Sequence, residues 1–330
     1  MPGKLLMSIS RFFSLLLIVV FALPAVSPAN APLDSVHQLL VNGEADAAIR
    51  MLKTSLNANP SGAAERNLLC RVHYAEERWD AAVSECERAA SLSPGSSLNQ
   101  LWLGRAYGEK ADHSSWFTAI NLAKKTRIAF EKAVELDPKN IEARSDLSEY
   151  YIEAPGFLGG GIDKAAAQAN AVEKLEPATA YWIRARIAEH DKRNSDAEQQ
   201  YKKALQADPG HRRIFDLASF YRRVNRLNDL EAAVQQSAKL NTKSDSALFD
   251  SASLLLRVNR NLPLAATLLQ RYIDQGEKSE DAPLFQAHYL LGQVLEKTGD
   301  TAGAKKAYQT ARASASDFAP ASAALKRLGA

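Results

Sequence analysis

Two cysteines, six scattered histidines and one glycine run are the residues of this 330-residue chain whose types could do chemistry. Cys70 and Cys86 can supply one disulfide or two thiols, but not a four-thiolate zinc site. None of His37, His73, His113, His190, His211 and His288 stands in a metal-ligand spacing. Asp112-His113-Ser114 are neighbours along the chain, whereas a catalytic triad is an arrangement in space. The run Phe157-Leu158-Gly159-Gly160-Gly161 is not a phosphate loop, because Gly161 is followed by Ile162 and the lysine comes only at Lys164. A glycine-rich backbone ahead of a helix can still cradle an anion, serve as a turn or touch a partner. No nucleophile elbow or carboxylate pair is present. The expectation is a chain with no catalytic residue, no metal and no cofactor.

The elements that carry these residues begin with a targeting segment. Residues 1–29 hold Lys4 and Arg11 and no acid. Phe12-Phe13 and the stretch Leu15 to Leu23 follow, ended by Pro24 and a tail of small residues. A basic start, a short apolar run and small residues describe a signal peptide, with cleavage expected near Ala29. The run is shorter than the roughly 20 residues of a membrane span. Export to a bacterial periplasm or to the outside is expected, with no stable membrane insertion after cleavage. Cleavage would remove Lys4 and Arg11, so the formal charge would fall by two, from +3 to +1. A nearly neutral mature chain argues against a nucleic-acid binder.

Beyond the signal the sequence repeats at a period of about 34 residues. Ala185 is followed by Ala197, Tyr201, Ala204 and Pro209. Cys70 is followed at the same offsets by Ala82, Cys86, Ala89 and Pro94, and Gly292 by Ala304, Tyr308 and Ala311. Weaker copies start at Ala218 and Ala252. Paired antiparallel helices explain the frame. Small residues let the axes approach, bulky ones a turn away fill the neighbouring groove, and proline stops the second helix. The segments Leu103-Gly104 with Tyr107, Phe130 to Pro138, Tyr201 to Pro209, and Leu291-Gly292 with Ala304, Tyr308 and Ala311 resemble the tetratricopeptide repeat family. The resemblance spans residues 33–316. It implies an all-α, right-handed superhelix with a groove lined by the first helix of each pair, and binding of a peptide or protein partner without chemistry of its own. About eight pairs are expected, at 33–60, 63–94, 96–138, 140–177, 179–209, 212–241, 245–276 and 283–314. A capping helix follows in 317–330, started by Asp317, with Leu325 and Leu328 facing inward.

Two copies are stretched. From Gly104 the closing proline arrives ten residues late at Pro138, and from Ser148 five late at Pro177. The insertions, 108–125 and 154–163, fall between paired helices of neighbouring repeats, hence on one edge. The first predicts a second helix extended backwards beyond its partner from an N-cap at Ser114 or Ser115. The second predicts a turn with Asp163 as N-cap. Trp116, Phe117 and Ile120 would then be covered by Phe157 and Leu158 on the Gly159-Gly160-Gly161 hinge.

Within each first helix, the residues three before, one after and four after the small residue share one face. Three before gives an aromatic row in the second half, Trp182, Phe215, Phe249 and Tyr289. One after gives Arg71, Arg105 and Arg186. The expected ligand is a peptide with apolar anchors and acidic character. Cys70 and Cys86 fall on two helices of one pair, with Cys70 opposite Ala82 and Cys86 a turn away. A disulfide and two buried thiols both stay open. The expectation is a non-catalytic exported scaffold; an envelope assembly component, a small-ligand binder and an enzyme are the alternatives, and homo-oligomerisation is open.

Overall fold

The computed structural model describes residues 33–240, 246–275 and 278–329; the signal segment 1–29 and its cleavage site lie outside them. Among the described residues the chain is an α-solenoid of eight antiparallel helical pairs and one more helix, with no strand. The pairs are α1 (Leu33–Val41) with α2 (Ala45–Ala58), α3 (Ala63–Ala75) with α4 (Trp79–Leu92), α5 (Ser97–Asp112) with α6 (Trp116–Leu136), and α7 (Ile141–Glu153) with α8 (Ile162–Val172). Then come α9 (Pro177–His190) with α10 (Asn194–Ala207), α11 (His211–Arg223) with α12 (Leu227–Lys239), α13 (Ala247–Arg257) with α14 (Leu262–Asp274), and α15 (Leu284–Lys297) with α16 (Thr301–Ser314). The terminal helix is α17 (Ala319–Arg327).

The small residues of the repeat frame stand where helices meet. A Cβ on Gly104 would lie 2.4 Å from the Phe130 ring, and one on Gly292 would lie 2.5 Å from the Tyr308 ring. Tyr201, Tyr272 and Tyr308, the bulky residues of the second helices, are fully buried. Six of the eight pairs turn the same way. The second residue past the first helix adopts positive φ, at Gly43, Glu77, Lys192, Asn225, Asn259 and Gly299. The next amide then donates back into the last turn of the first helix, as Arg78 does to the His73 carbonyl at 2.9 Å and Arg193 to that of Ala188 at 2.9 Å. This closes the free carbonyls of the first helix.

The two stretched pairs lack that turn. In the first, the extra residues are shared. α6 has 21 residues and α5 has 16, against 13 or 14 in most of the others, so the hairpin lengthens on both arms rather than α6 alone outrunning its partner. Ser115 holds the N-cap position of α6, but its hydroxyl meets that of Thr118 at 3.2 Å instead of a backbone amide. In the second, Gly156–Leu158 form a single 3-10 turn, and Gly161, not Asp163, is the N-cap of α8; Asp163 sits inside the first helical turn. At the C-terminus Phe318, not Asp317, is the N-cap of α17, and Asp317 pairs with Arg78 instead. Leu325 is buried as expected, and Leu328 packs beside it.

That last ion pair belongs to a seam the repeat pattern does not announce. The array closes on itself. Val36, Leu40, Ala48 and Leu52 of the first pair share one apolar cluster with Phe285, Ala311, Phe318 and Ala321 of the last helices. The Ser316 amide and hydroxyl donate to Asp46 at 3.1 and 3.0 Å, and Gln286 Nε2 donates to the Ala75 carbonyl at 2.7 Å.

Candidate functional site

The inner faces of α9, α11 and α13 enclose a cavity of about 300 Å³. Helical spacing places its lining: Trp182 and Arg186 are one turn apart, Phe215, Ser219 and Arg222 follow in steps of four and three, and so do Asp250, Leu254 and Arg257. Trp182 and Phe215 present half-buried rings. Five arginines, Arg186, Arg212, Arg222, Arg223 and Arg257, meet three carboxylates, Glu149, Asp216 and Asp250.

Some of this charge is consumed internally. Arg186, expected to face a ligand, is buried and holds Glu149 at 2.6 Å, Glu153 at 2.7 Å and Glu189 at 3.0 Å. Glu189 also accepts from Arg223 and from the Tyr201 hydroxyl. Burial pushes the Glu189 carboxyl up, but Arg223 and Arg186 outweigh it and hold it below the usual range. Burial also pushes the Asp216 carboxyl up, against the pull of Arg212 and Arg213. Arg222 and Arg257 make no ion pair among the described residues, and the Arg222 Nε is buried with no hydrogen-bond partner. Burial, reinforced by the charges of Arg223 and Arg257, lowers the Arg222 pKa. The cavity therefore combines apolar rings with two guanidiniums, Arg222 and Arg257, that have no ion-pair partner among the described residues, a setting in which guanidinium binds carboxylate well.

The structure splits the aromatic row expected from sequence. Trp182 and Phe215 line one cavity with Arg186. Phe249 leans on Tyr272 instead, at 6.4 Å between ring centres. Tyr289 packs at the chain's end, edge-on to Phe318 at 5.2 Å. Arg71 and Arg105 lie in the other half, both over the Trp102 indole, at 5.1 and 4.9 Å. Arg105 is held by Asp146 at 2.7 Å and Glu142 at 3.1 Å. Sequence reasoning missed Trp102, Arg212, Arg222, Arg223 and Arg257. A signal for Arg222 existed, since it stands four after Ala218 on the face already identified.

On the edge, the glycine turn rests on α6 at Arg127, whose side chain a Cβ on Gly159 would meet at 2.7 Å. Phe117 is ten residues away along α6, about 15 Å. The expected cover does not form. Trp116, Phe117 and Phe157 are 68%, 77% and 70% exposed, while Ile120 and Leu158 are half-buried. Gly160 is required where it stands, because a Cβ there would overlap the Ala154 carbonyl oxygen at 1.7 Å. Gly161 closes the run as the N-cap of α8. This makes the run a turn against its own backbone.

Cys70 and Cys86 form a disulfide with a Cα–Cα distance of 5.3 Å. The distance across α3 and α4 is thus inside the bridging range, although the helical offset left it open.

Comparison with known proteins adds the family. A family model described as tetratricopeptide repeat matches residues 33–97, 159–212 and 249–323. No protein of curated function matches the sequence. Among solved structures, a thermophilic tetratricopeptide repeat protein of Thermus thermophilus is 21% identical, with 62% of this chain and 97% of that one covered and a TM-score of 0.47. Tom70 of yeast is 16% identical, with 92% and 66% covered and a TM-score of 0.50. A tetratricopeptide repeat protein of Parabacteroides merdae is 11% identical, with 90% and 97% covered and a TM-score of 0.44. These likenesses concern the fold. With eight helical pairs in one frame and family matches over most of the described residues, the chain belongs to the tetratricopeptide repeat family.

Proposed function

We propose that the chain is a non-catalytic scaffold that holds an acidic, apolar-anchored segment of a protein partner in the cavity of Trp182, Phe215, Arg222 and Arg257. Proteins of this family bind peptide or protein partners, which supports the class of ligand. The observation that carries the chemistry is the arginine excess beside two half-buried rings, with Arg222 and Arg257 unpaired among the described residues. Peptides selected from a random display library on the purified chain should be enriched in Asp and Glu next to an apolar residue. Arg222→Ala and Arg257→Ala should each weaken the selected peptides by about 1–3 kcal/mol, and Trp182→Ala by a similar amount. Selected peptides without acidic bias, or with unchanged affinity for the doubly substituted chain, would rule the cavity out as the site.

The scaffold acts outside the cytoplasm in this reading. The basic and apolar character of residues 1–29 supports it, as does a disulfide between buried helices, since such bonds persist in oxidising compartments. The mature chain should begin near Asn30. N-terminal sequencing that finds Met1 on soluble cytoplasmic protein would overturn the assignment.

A further inference from the structure

Arg71 is the inward arginine whose partner comes from far away. Arg105 takes carboxylates from the next pair and Arg186 from the preceding one. Arg71 has one ion-pair partner among the described residues, Glu280, which lies 209 positions later in the connection between α14 and α15. Asp281 lies close enough to Arg71 and Arg105 to favour the charged form of both. Two bonds tie this stretch to α14: the Tyr272 hydroxyl donates to the Ala282 carbonyl at 2.7 Å and accepts from the Ser279 amide at 3.0 Å. A short acidic stretch of the chain thus lies by Arg71 and Arg105, the two guanidiniums that sit over the Trp102 indole.

The fit is incomplete. Beside Arg71 a cavity of about 490 Å³ is lined by His37, Asn67 and Asn99. Within it the Asn67 Nδ2 and the Arg71 Nε are buried donors with no partner. Buried donors left unmade cost stability, so a segment supplying more acceptors than Glu280 does would be favoured here. Glu280 also stands on a connection rather than a helix, and connections yield more readily than the elements they join.

We infer that Arg71, with Trp102 and Arg105, forms an acidic-peptide site on the first half of the array, and that the chain's own Glu280–Asp281 segment fills it, so that a partner's acidic segment enters by displacing an internal one. The site is separate from the Trp182–Arg257 cavity and does not depend on it. A tethered segment competes at high effective concentration, so the resting chain should bind acidic peptide weakly here.

The probe is a fluorescent peptide Lys-Ser-Glu-Asp-Ala-Pro, the sequence of residues 278–283. The E280Q/D281N variant of the full chain should bind it at least tenfold more tightly than the unaltered chain. Adding Arg71→Ala should abolish the gain, whereas adding R222A/R257A should leave it. Equal binding to both chains, indifference to Arg71→Ala, or no binding to the variant at millimolar peptide would each overturn the inference. Should the variant fail to fold, the unaltered chain still decides. Saturating peptide should speed amide exchange at Ser279 to Ala282, and unchanged exchange there with peptide bound would reject displacement.

Discussion

Replacing Phe285 by alanine should lower stability by about 3–5 kcal/mol and should loosen the two ends of the chain together. Phe285 is 1% exposed, stands edge-on to Phe318 at 5.1 Å between ring centres, and shares its cluster with Val36, Leu40 and Leu52. The α1–α2 turn presses on the same place, since a Cβ on Gly43 would lie 2.6 Å from the Phe285 amide nitrogen. In an open array each repeat answers only to its neighbours, and the two ends fray independently. Here the first and last pairs have one core between them. Urea unfolding with amide exchange checks the result: protection should fall in 33–58 and in 301–327 alike. A loss confined to the C-terminal helices would show that the seam is not shared in solution.

Removing the Cys70–Cys86 bridge should cost about 3 kcal/mol, the loop-closure value for a short loop. The two cysteines are 16 positions apart and fully buried against Ala82, Trp102 and Ala106. Alanine at both positions keeps the core apolar and removes mainly the constraint on the unfolded chain. A thermal melt with and without reductant separates the contributions. Reductant should lower the midpoint of the unaltered chain and leave that of the doubly substituted chain in place. A midpoint of the unaltered chain that ignores prolonged reduction would mean that the thiols are not joined.

The helical pairs were legible because the sequence states them locally. Gly104 under Phe130 and Gly292 under Tyr308 are short-range necessities, and they recur at the spacing that the fold repeats. The turns were less legible. Glu77 and Lys192 take the positive φ that composition would assign to glycine, because their place past the helix end demands it. The start of α6 after Ser115 was legible, but the lengthening of α5 was not, because ten extra residues can lengthen either arm of a hairpin and sequence does not say how they divide. The spacing that puts Arg71, Arg105 and Arg186 on first helices was legible, but not their partners. Whether Arg186 greets solvent or Glu149 depends on how one repeat is rotated against the next. The seam had no local signal, since Phe285 meets Leu40 only through curvature summed over all eight pairs. Arg222 stands on the face already identified, four after Ala218, and was passed over, whereas Arg257, five after Ala252, falls just outside that rule.

The seam also sets an order of events during synthesis. The chain emerges N-terminus first, and Val36, Leu40 and Leu52 are made long before Phe285 and Phe318, which complete their core. At ordinary elongation rates the delay is roughly 10–50 s. Throughout it the first pair has its later neighbours on one side and bare apolar surface on the other. An open solenoid would be finished repeat by repeat as it grew. This one is finished only when its last fifty or so residues arrive. A chain cut short before residue 285 should therefore keep the apolar surface of its first pair bare, wherever it folds.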